Sequence, residues 1–291
     1  MRGQPDVPRG RCDDVAAPPL SSTRPQALSR PPRAQPDDSG LTGRTGHRQA
    51  PGVTETSAPR TDAAPGDVTL SDVDIWPLTG LRIVSGDLEL VAPDDRMLLA
   101  LARLAAEGVH APDAMPFLVP WTRGTPQQVA RSVMTYQWGL RQRTTPADWA
   151  IELAVVRDGE PLGTQGMYAK DFLVTRTAET GSWLGLRHQH GGVGTRMRLM
   201  ILHLLFEGLG AQHATSSAFV DNPGSTGVSR RIGYRPNGVL HQAREGGPVD
   251  SQLFVLDRAD WDARPDHLRP DVRIEGLGPV LEQLGIGTSG S

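Results

Sequence analysis

Three closely spaced glycines, Gly191, Gly192 and Gly194, separate a strand pattern from a helix pattern more than halfway along this chain of 291 residues. The first N–H groups of a helix have no intrahelical partners and carry a partial positive charge, so a helix N-terminus attracts phosphate. Glycine lets an anion approach the backbone without meeting a β-carbon. The segment therefore predicts either a diphosphate site or a purely structural loop.

Two common phosphate motifs do not fit this segment. No Gly-Lys-Ser/Thr sequence follows the glycines, as a P-loop requires. No acidic residue ends a second strand within a βαβ unit, as a dinucleotide-binding fold requires. The glycines also follow several strands, which is the wrong place for the start of such a fold.

The elements before the glycines mix strands and helices. Residues 81–91 predict a hairpin around Gly86, because Gly-Asp supplies the positive φ angles of a tight turn. Helical periodicity predicts helices over 93–108 and 125–142, the second beginning with a Thr N-cap and a proline. A meander of three strands follows, near 149–155, 162–169 and 178–184.

Apolar residues at helical spacing over 197–205 predict a helix after the glycines, and 214–220 predicts a returning strand. This unit predicts one parallel crossover among antiparallel pairs. A short helix ending at Ile232 and strands near 235–244 and 251–256 complete the pattern. The predicted fold class is α/β (α+β), a mixed, mostly antiparallel twisted sheet flanked by helices.

Composition divides the chain into three parts. Residues 1–75 contain no aromatic side chain and no periodicity. Such a segment cannot offset ~1–2 kcal/mol of backbone entropy per ordered residue, which predicts disorder. The folded domain is predicted over 76–262, and 263–291 is predicted to be a loosely attached tail with a short apolar anchor at 277–284.

Composition also argues against several partners. A formal net charge of −3 does not suit a dedicated nucleic-acid binder. The single cysteine, Cys12, excludes an internal disulfide, and the histidines lack companions at metal-ligand spacing. No apolar run approaches the ~18 residues of a membrane span. We therefore expect a cytoplasmic protein with no metal, no nucleic acid and no membrane partner.

Two motifs resemble those of a known family. Gln189-x-x-Gly192-x-Gly194 matches the Gln/Arg-x-x-Gly-x-Gly/Ala signature of the GNAT acetyltransferases. Residues 222–234 are similar to the family's Asn-x-x-Ser-x-x-Val-x-x-x-x-Gly-Phe/Tyr stretch. Residues 181–185 and the ending Leu-Asp-Arg-Ala-Asp-Trp are most similar to the Rim-type branch, which acetylates protein N-termini and diverse small amines.

The resemblance implies an acetyl-CoA site without a metal. The Gly-rich loop would wrap the pyrophosphate, and a splay between the strands around Trp183 and Phe219 would open a slot for the cofactor. Asn222 would bind the cofactor arm, although Asn before Pro223 also suits a simple turn. The implied cofactor-binding residues are Leu184, Leu186, Gln189, His190, Gly191, Gly192, Val193, Gly194, Thr195, Asn222 and Ser225.

Direct acetyl transfer to an amine needs a base and a proton for the leaving thiolate. Glu179 is the first candidate base and Glu152, on the wetter face of its strand, the second; each is equally typical of a surface carboxylate. Family members often place a tyrosine as general acid where this chain has Ser229, a weaker donor. The predicted acceptor pocket consists of the apolar loop 115–121, the second helix and the last hairpin.

The expected function is therefore acetyl-CoA-dependent N-acetyltransfer to a small-molecule amine or a protein N-terminus, by a monomer or homodimer. Two alternatives stay open. The missing tyrosine is compatible with a catalytically weak acyl-CoA-binding module or sensor. The Arg-rich N-terminal segment is compatible with an interaction protein.

Overall fold

The computed structural model describes residues 69–287. The disorder predicted for residues 1–68 lies outside the described range. Residues 69–75 of that same segment include a short helix, α1 (Asp72–Ile75), where Ser71 and Asp74 form a reciprocal capping box. The first ordered turn thus begins slightly before the predicted domain start at Trp76.

A nine-stranded sheet organises the described residues, in the order β7-β8-β6-β5-β4-β3-β2-β1-β9. Antiparallel pairing predominates, which confirms the predicted fold class. The strands are β1 (Arg82–Ser85), β2 (Leu88–Val91), β3 (Asp148–Arg157), β4 (Glu160–Lys170), β5 (Thr177–Leu184), β6 (His213–Phe219), β7 (Arg235–Arg244), β8 (Gly247–Asp257) and β9 (Arg273–Glu275).

The parallel neighbours β5 and β6 stay paired over only three positions. Thr177 to Glu179 pair with His213 to Thr215, and no pairing continues beyond them in the described chain. β6 instead stays paired with β8 along its whole length. The C-terminal half of β5 therefore has an open edge, which is the splay predicted near Trp183 and Phe219.

Helices cover both faces of the sheet. α2 (Asp95–Glu107) and α3 (Pro126–Arg143) pack together on one face, where they share a buried apolar cluster with Ala154 of β3. α5 packs on the other face and continues as one π-helical segment, Leu204–Gly208. None of the helices over 69–287 is long and apolar enough to cross a membrane. In chain order, the α-helices after α1 are α2 (Asp95–Glu107), α3 (Pro126–Arg143), α4 (Phe172–Thr175), α5 (Val193–His203), α6 (Pro223–Ile232), α7 (Arg258–Asp262) and α8 (Leu277–Gln283).

The residues after Asp262 differ from the expected loose tail. β9 adds an antiparallel strand to β1, pairing Ile83 with Ile274. Val280 of α8 and Leu284 are fully buried in the main core. The apolar residues at 277–284 therefore do more than anchor a tail: they complete the core and one side of the sheet.

Candidate functional site

The N-terminus of α5 is open to solvent. Gly192 forms its N-cap in a left-handed conformation, with φ of +78°. The first helical N–H bond is that of Arg196 to the Gly192 carbonyl, and no side chain of the described chain caps the helix. A β-carbon built on Gly191 or Gly192 meets no atom within 4 Å. The free N–H groups and the empty space above them fit a diphosphate.

Gln189 anchors the loop that leads into this helix. Its Nε2 donates to the Val109 carbonyl at 2.6 Å and to the Leu184 carbonyl at 3.0 Å. His190 is exposed and has a φ of +62°, a left-handed conformation that favours glycine. Thr195 accepts a hydrogen bond from Arg231 at 3.3 Å. Gln189 therefore positions the loop through its side chain.

The open edge of β5 presents backbone groups to the slot. The Gly185 N–H points toward β4, where it donates to the Leu162 carbonyl at 2.9 Å. Because N–H directions alternate along a strand, those of Ser182 and Leu184 point toward the slot. The Leu186 N–H donates to the Gly108 carbonyl at 3.0 Å. The Leu184 N–H can thus bond to a cofactor in the slot, as its predicted cofactor-binding role requires, whereas the Leu186 N–H already bonds to Gly108.

Asn222 and Ser225 form the cap of α6. The Asn222 side-chain oxygen accepts from the Ser225 N–H at 3.2 Å, and Pro223 occupies the first helical turn. This is the turn-forming role that Asn before proline performs well. The amide nitrogen of Asn222 makes no hydrogen bond to any described residue in this arrangement, so it stays available to a ligand.

Ser229 is fully buried in α6, and its hydroxyl has no hydrogen-bond partner among the described residues. Buried polar atoms are nearly always paired, because an unsatisfied hydroxyl costs about 1–3 kcal/mol. An orphaned buried hydroxyl is therefore a candidate for a bond to a ligand.

A cavity lies between α3, the loop before it and the C-terminal half of β5. Its cavity volume is about 50 Å³, and the space reaches about 500 Å³ only when the open solvent at its mouth is counted. The ring centroids of Phe117 and Trp121 lie 5.0 Å apart, and those of Trp121 and Trp183 lie 5.8 Å apart. The lining residues are Phe117, Trp121, Ser132, Val133, Tyr136, Gln137, Glu152, Gly181, Ser182 and Trp183.

Glu152 projects from β3 into this cavity. It stands in one row with Gly166 and Gly181, and a β-carbon on Gly166 would collide with its carboxylate. Thr164 donates a hydrogen bond to it at 2.5 Å. Burial raises the pKa of Glu152 to about 7, against the opposing effect of the Thr164 bond. The carboxylate can therefore exchange a proton near neutral pH.

Glu179 lies on the same sheet face but outside the cavity lining. Its carboxylate accepts hydrogen bonds from Tyr168 and, at 3.4 Å, from Ser217. Burial raises the pKa of Glu179 to about 7, while both hydrogen bonds and the charge of Arg198 act in the opposite direction. The two candidate bases thus have similar pKa values, but Glu152 faces the open space.

Two groups with a role in the site carry no recognisable sequence signal. Tyr136 of α3 lines the cavity, and its hydroxyl has no partner within the described chain; burial and then the charge of Glu152 raise its pKa. Arg198 of α5 is buried beneath the splay and donates to Ser182 of β5 at 3.3 Å and to Ser216 of β6 at 3.1 Å. Arg198 therefore joins both sides of the slot from the face opposite the cavity.

The last hairpin holds the apolar loop in place but does not itself line the cavity, contrary to the prediction that it forms part of the acceptor pocket. Arg244 donates to the Met115 carbonyl at 2.6 Å and pairs with Asp221. Arg123, at the other end of the loop, pairs with Glu245 at 2.9 Å. These bonds connect the loop to the β7–β8 turn, so the hairpin acts through the loop.

A splayed sheet, an open helix N-terminus beside the splay and a cavity with a carboxylate on β3, two strands from β5, are the features that an acyltransferase with an acyl-CoA donor requires. Residues 88–235, just over half of the chain, match the acetyltransferase (GNAT) domain family. The chain therefore belongs to the GNAT acetyltransferases. No group of metal-ligating side chains is present in the described range, and family members use acetyl-CoA as substrate.

Solved structures share this fold. RimL, a ribosomal L7/L12 α-N-protein acetyltransferase in complex with coenzyme A, has 21% identity and a TM-score of 0.50, covering 62% of this chain and 98% of its own. Mycobacterium smegmatis RimJ has 19% identity and a TM-score of 0.50, covering 72% and 96%. A GCN5-related N-acetyltransferase from Brucella melitensis has 16% identity and a TM-score of 0.52, covering 65% and 83%. At these identities the likeness establishes the fold, which agrees with the Rim-type resemblance.

Proposed function

We propose that this chain transfers the acetyl group of acetyl-CoA directly to a primary amine bound in the cavity beside Glu152. The observation that carries the proposal is the position of this carboxylate. It shares a row of the sheet with Gly181, on the part of β5 whose outer edge is open. An amine held in the cavity is then next to both a base and the acyl-CoA slot.

Different residues of the chain perform different steps of the reaction. Acetyl-CoA supplies an acetyl group as a thioester. Glu152 accepts the proton that converts the bound ammonium to the neutral amine, and its pKa of about 7 suits that exchange. The nitrogen then forms the new bond to the acetyl carbon as the carbon–sulfur bond breaks, and it releases its second proton to solvent. The free N–H groups at the start of α5 hold the diphosphate. Positioning by the cavity walls supplies a large part of the rate in such a reaction.

Ser229 donates the proton that the departing thiolate takes up. Replacing Ser229 by Ala is expected to lower kcat by about tenfold. This loss is smaller than that expected for most general acids, because serine is a weak proton donor. The folded protein should lose no stability, since the hydroxyl has no partner among the described residues. Steady-state kinetics together with a thermal melt test this, and an unchanged kcat would remove Ser229 from the mechanism.

The direct test of the function is release of free thiol when the full chain is mixed with acetyl-CoA and a panel of amines. Acetylated product and thiol in equal amounts support the enzyme. Binding of acetyl-CoA without turnover on peptides, polyamines or small amines would favour the alternative of a weak acyl-CoA-binding module. Failure to bind acetyl-CoA would reject both interpretations.

A further inference from the structure

The cavity wall is chemically simple. Three aromatic rings, Phe117, Trp121 and Trp183, line it, and Val133 adds to this apolar surface. Aromatic ring faces attract cations, and ammonium groups are often held in such surroundings. The wall therefore favours a ligand that is apolar except for a positive charge.

Charge in the cavity is limited to one group. Among the described residues that line it, Glu152 is the only carboxylate, and no Lys or Arg takes part. The Tyr136 hydroxyl beside it is buried, makes no hydrogen bond to any residue over 69–287 and can donate to a ligand. A single ammonium next to Glu152 would be fully paired in this site.

A second charge on the acceptor has no partner here. The next ammonium of a polyamine would lie against the rings or Val133, where an unpaired buried charge is strongly disfavoured. A carboxylate next to the amine would face Glu152, and like charges repel. Polyamines and free amino acids are therefore poor fits.

We infer that the acceptor is a primary amine attached to a compact apolar or aromatic group that carries no further charge. This inference rests on the proposed function, because it names the acceptor class of the same cavity. Two sources have this chemistry: a small arylalkylamine, and a peptide whose first residue has an apolar side chain. They share the ammonium and the apolar group, and they differ in what extends from the mouth of the cavity.

Calorimetry on the full chain saturated with coenzyme A tests the inference without requiring turnover. The probes are 2-phenylethylamine, a tetrapeptide amide beginning with Phe, spermidine and the uncharged 2-phenylethanol. We expect the amine or the peptide to bind at least about tenfold more tightly than spermidine and the alcohol, because only these ligands satisfy both Glu152 and the rings. Which of the two binds identifies the source. Equal or tighter binding of spermidine, or no binding by either ligand, overturns the inference.

Substitutions in the aromatic wall test whether its rings contribute to ligand affinity. Trp121→Leu should weaken the better ligand by about 3–30-fold, the range that a cation–π contact accounts for. Trp138→Leu is the matched control, since Trp138 is 48% exposed on α3 and does not line the cavity. If Trp121→Leu melts at a lower temperature than wild type, Phe117→Leu serves as a second substitution in the same wall. Unchanged affinity in both wall variants would contradict the assignment. Specific binding without acetyl transfer would instead reject the proposed function alone.

Discussion

Glu152→Gln lowers kcat/KM for acetyl transfer by about two to three orders of magnitude, the range expected when a general base is removed. The amide keeps the shape of the carboxylate and the bond from Thr164, but it cannot take a proton. The wild-type rate should rise with pH through about 7, where Glu152 loses its proton, and this rise should disappear in the variant. Rates measured between pH 5.5 and 8.5 check both statements.

Glu179→Gln is the control for this experiment. Glu179 has a similarly raised pKa and the same sheet face, but it bonds to Tyr168 and Ser217 outside the cavity. We expect a loss of less than about tenfold, below the range for a general base. If Glu179→Gln abolishes activity while Glu152→Gln retains it, the roles of the two carboxylates must be exchanged.

The same Glu152→Gln substitution lowers activity but should raise the stability of the folded protein at pH 8. The folded-state pKa of about 7 exceeds 4.5, the ordinary value for a glutamate side chain, because burial disfavours the charged form. Folding therefore carries no penalty below pH 4.5, and the penalty grows until it is complete above pH 7. The variant should melt at a higher temperature than wild type at pH 8, so its lost activity cannot come from unfolding.

Gly191→Glu raises the KM for acetyl-CoA at least about tenfold, because a carboxylate placed before the free N–H groups of α5 repels a diphosphate and competes for its donors. The substitution suits the fold: Gly191 has no left-handed φ, and a β-carbon there meets no atom within 4 Å. Isothermal titration with acetyl-CoA and a thermal melt measure the two effects separately.

Gly139→Glu on α3 is the matched control for this second variant. A β-carbon at Gly139 also meets nothing within 4 Å, and the residue does not line the cavity. It adds the same charge to the protein on a different element, α3. Equal loss of acetyl-CoA affinity in both variants would mean that overall charge, and not the N-terminus of α5, governs binding.

The fold could be predicted because local patterns agreed with the architecture. Gly86 takes a φ of +58° in the hairpin turn, as its place between two apolar alternations requires. The strand–helix–strand order around α5 correctly gave the parallel pair. The closing strand β9 could not be found, because three residues are too short for a periodic signal and its partner, β1, lies 188 or more positions away.

The site could be predicted only where backbone conformation sets it. In the Gly-rich turn the backbone is accessible because the residues are glycines, and glycines can be read directly from the sequence. The neighbourhood of Glu152 depends on register: Gly166 makes room for the carboxylate, and Tyr136 approaches it from α3. Such contacts between elements have no spacing rule. The position of Glu179 close to the end of its strand therefore ranked it ahead of Glu152, although only Glu152 lines the cavity.

The pairing of β9 with β1 has a practical consequence for shortened versions of the protein. Any β-carbon on Gly276 would collide with the Gly80 carbonyl, so the two segments are closely fitted. A protease cut between α7 and β9, or truncation at residue 262, uncovers the backbone of β1 together with the apolar contacts of Val280. Exposed strand backbone of this kind recruits other chains. Shortened preparations will therefore be lost as aggregates before any change in catalysis can be measured.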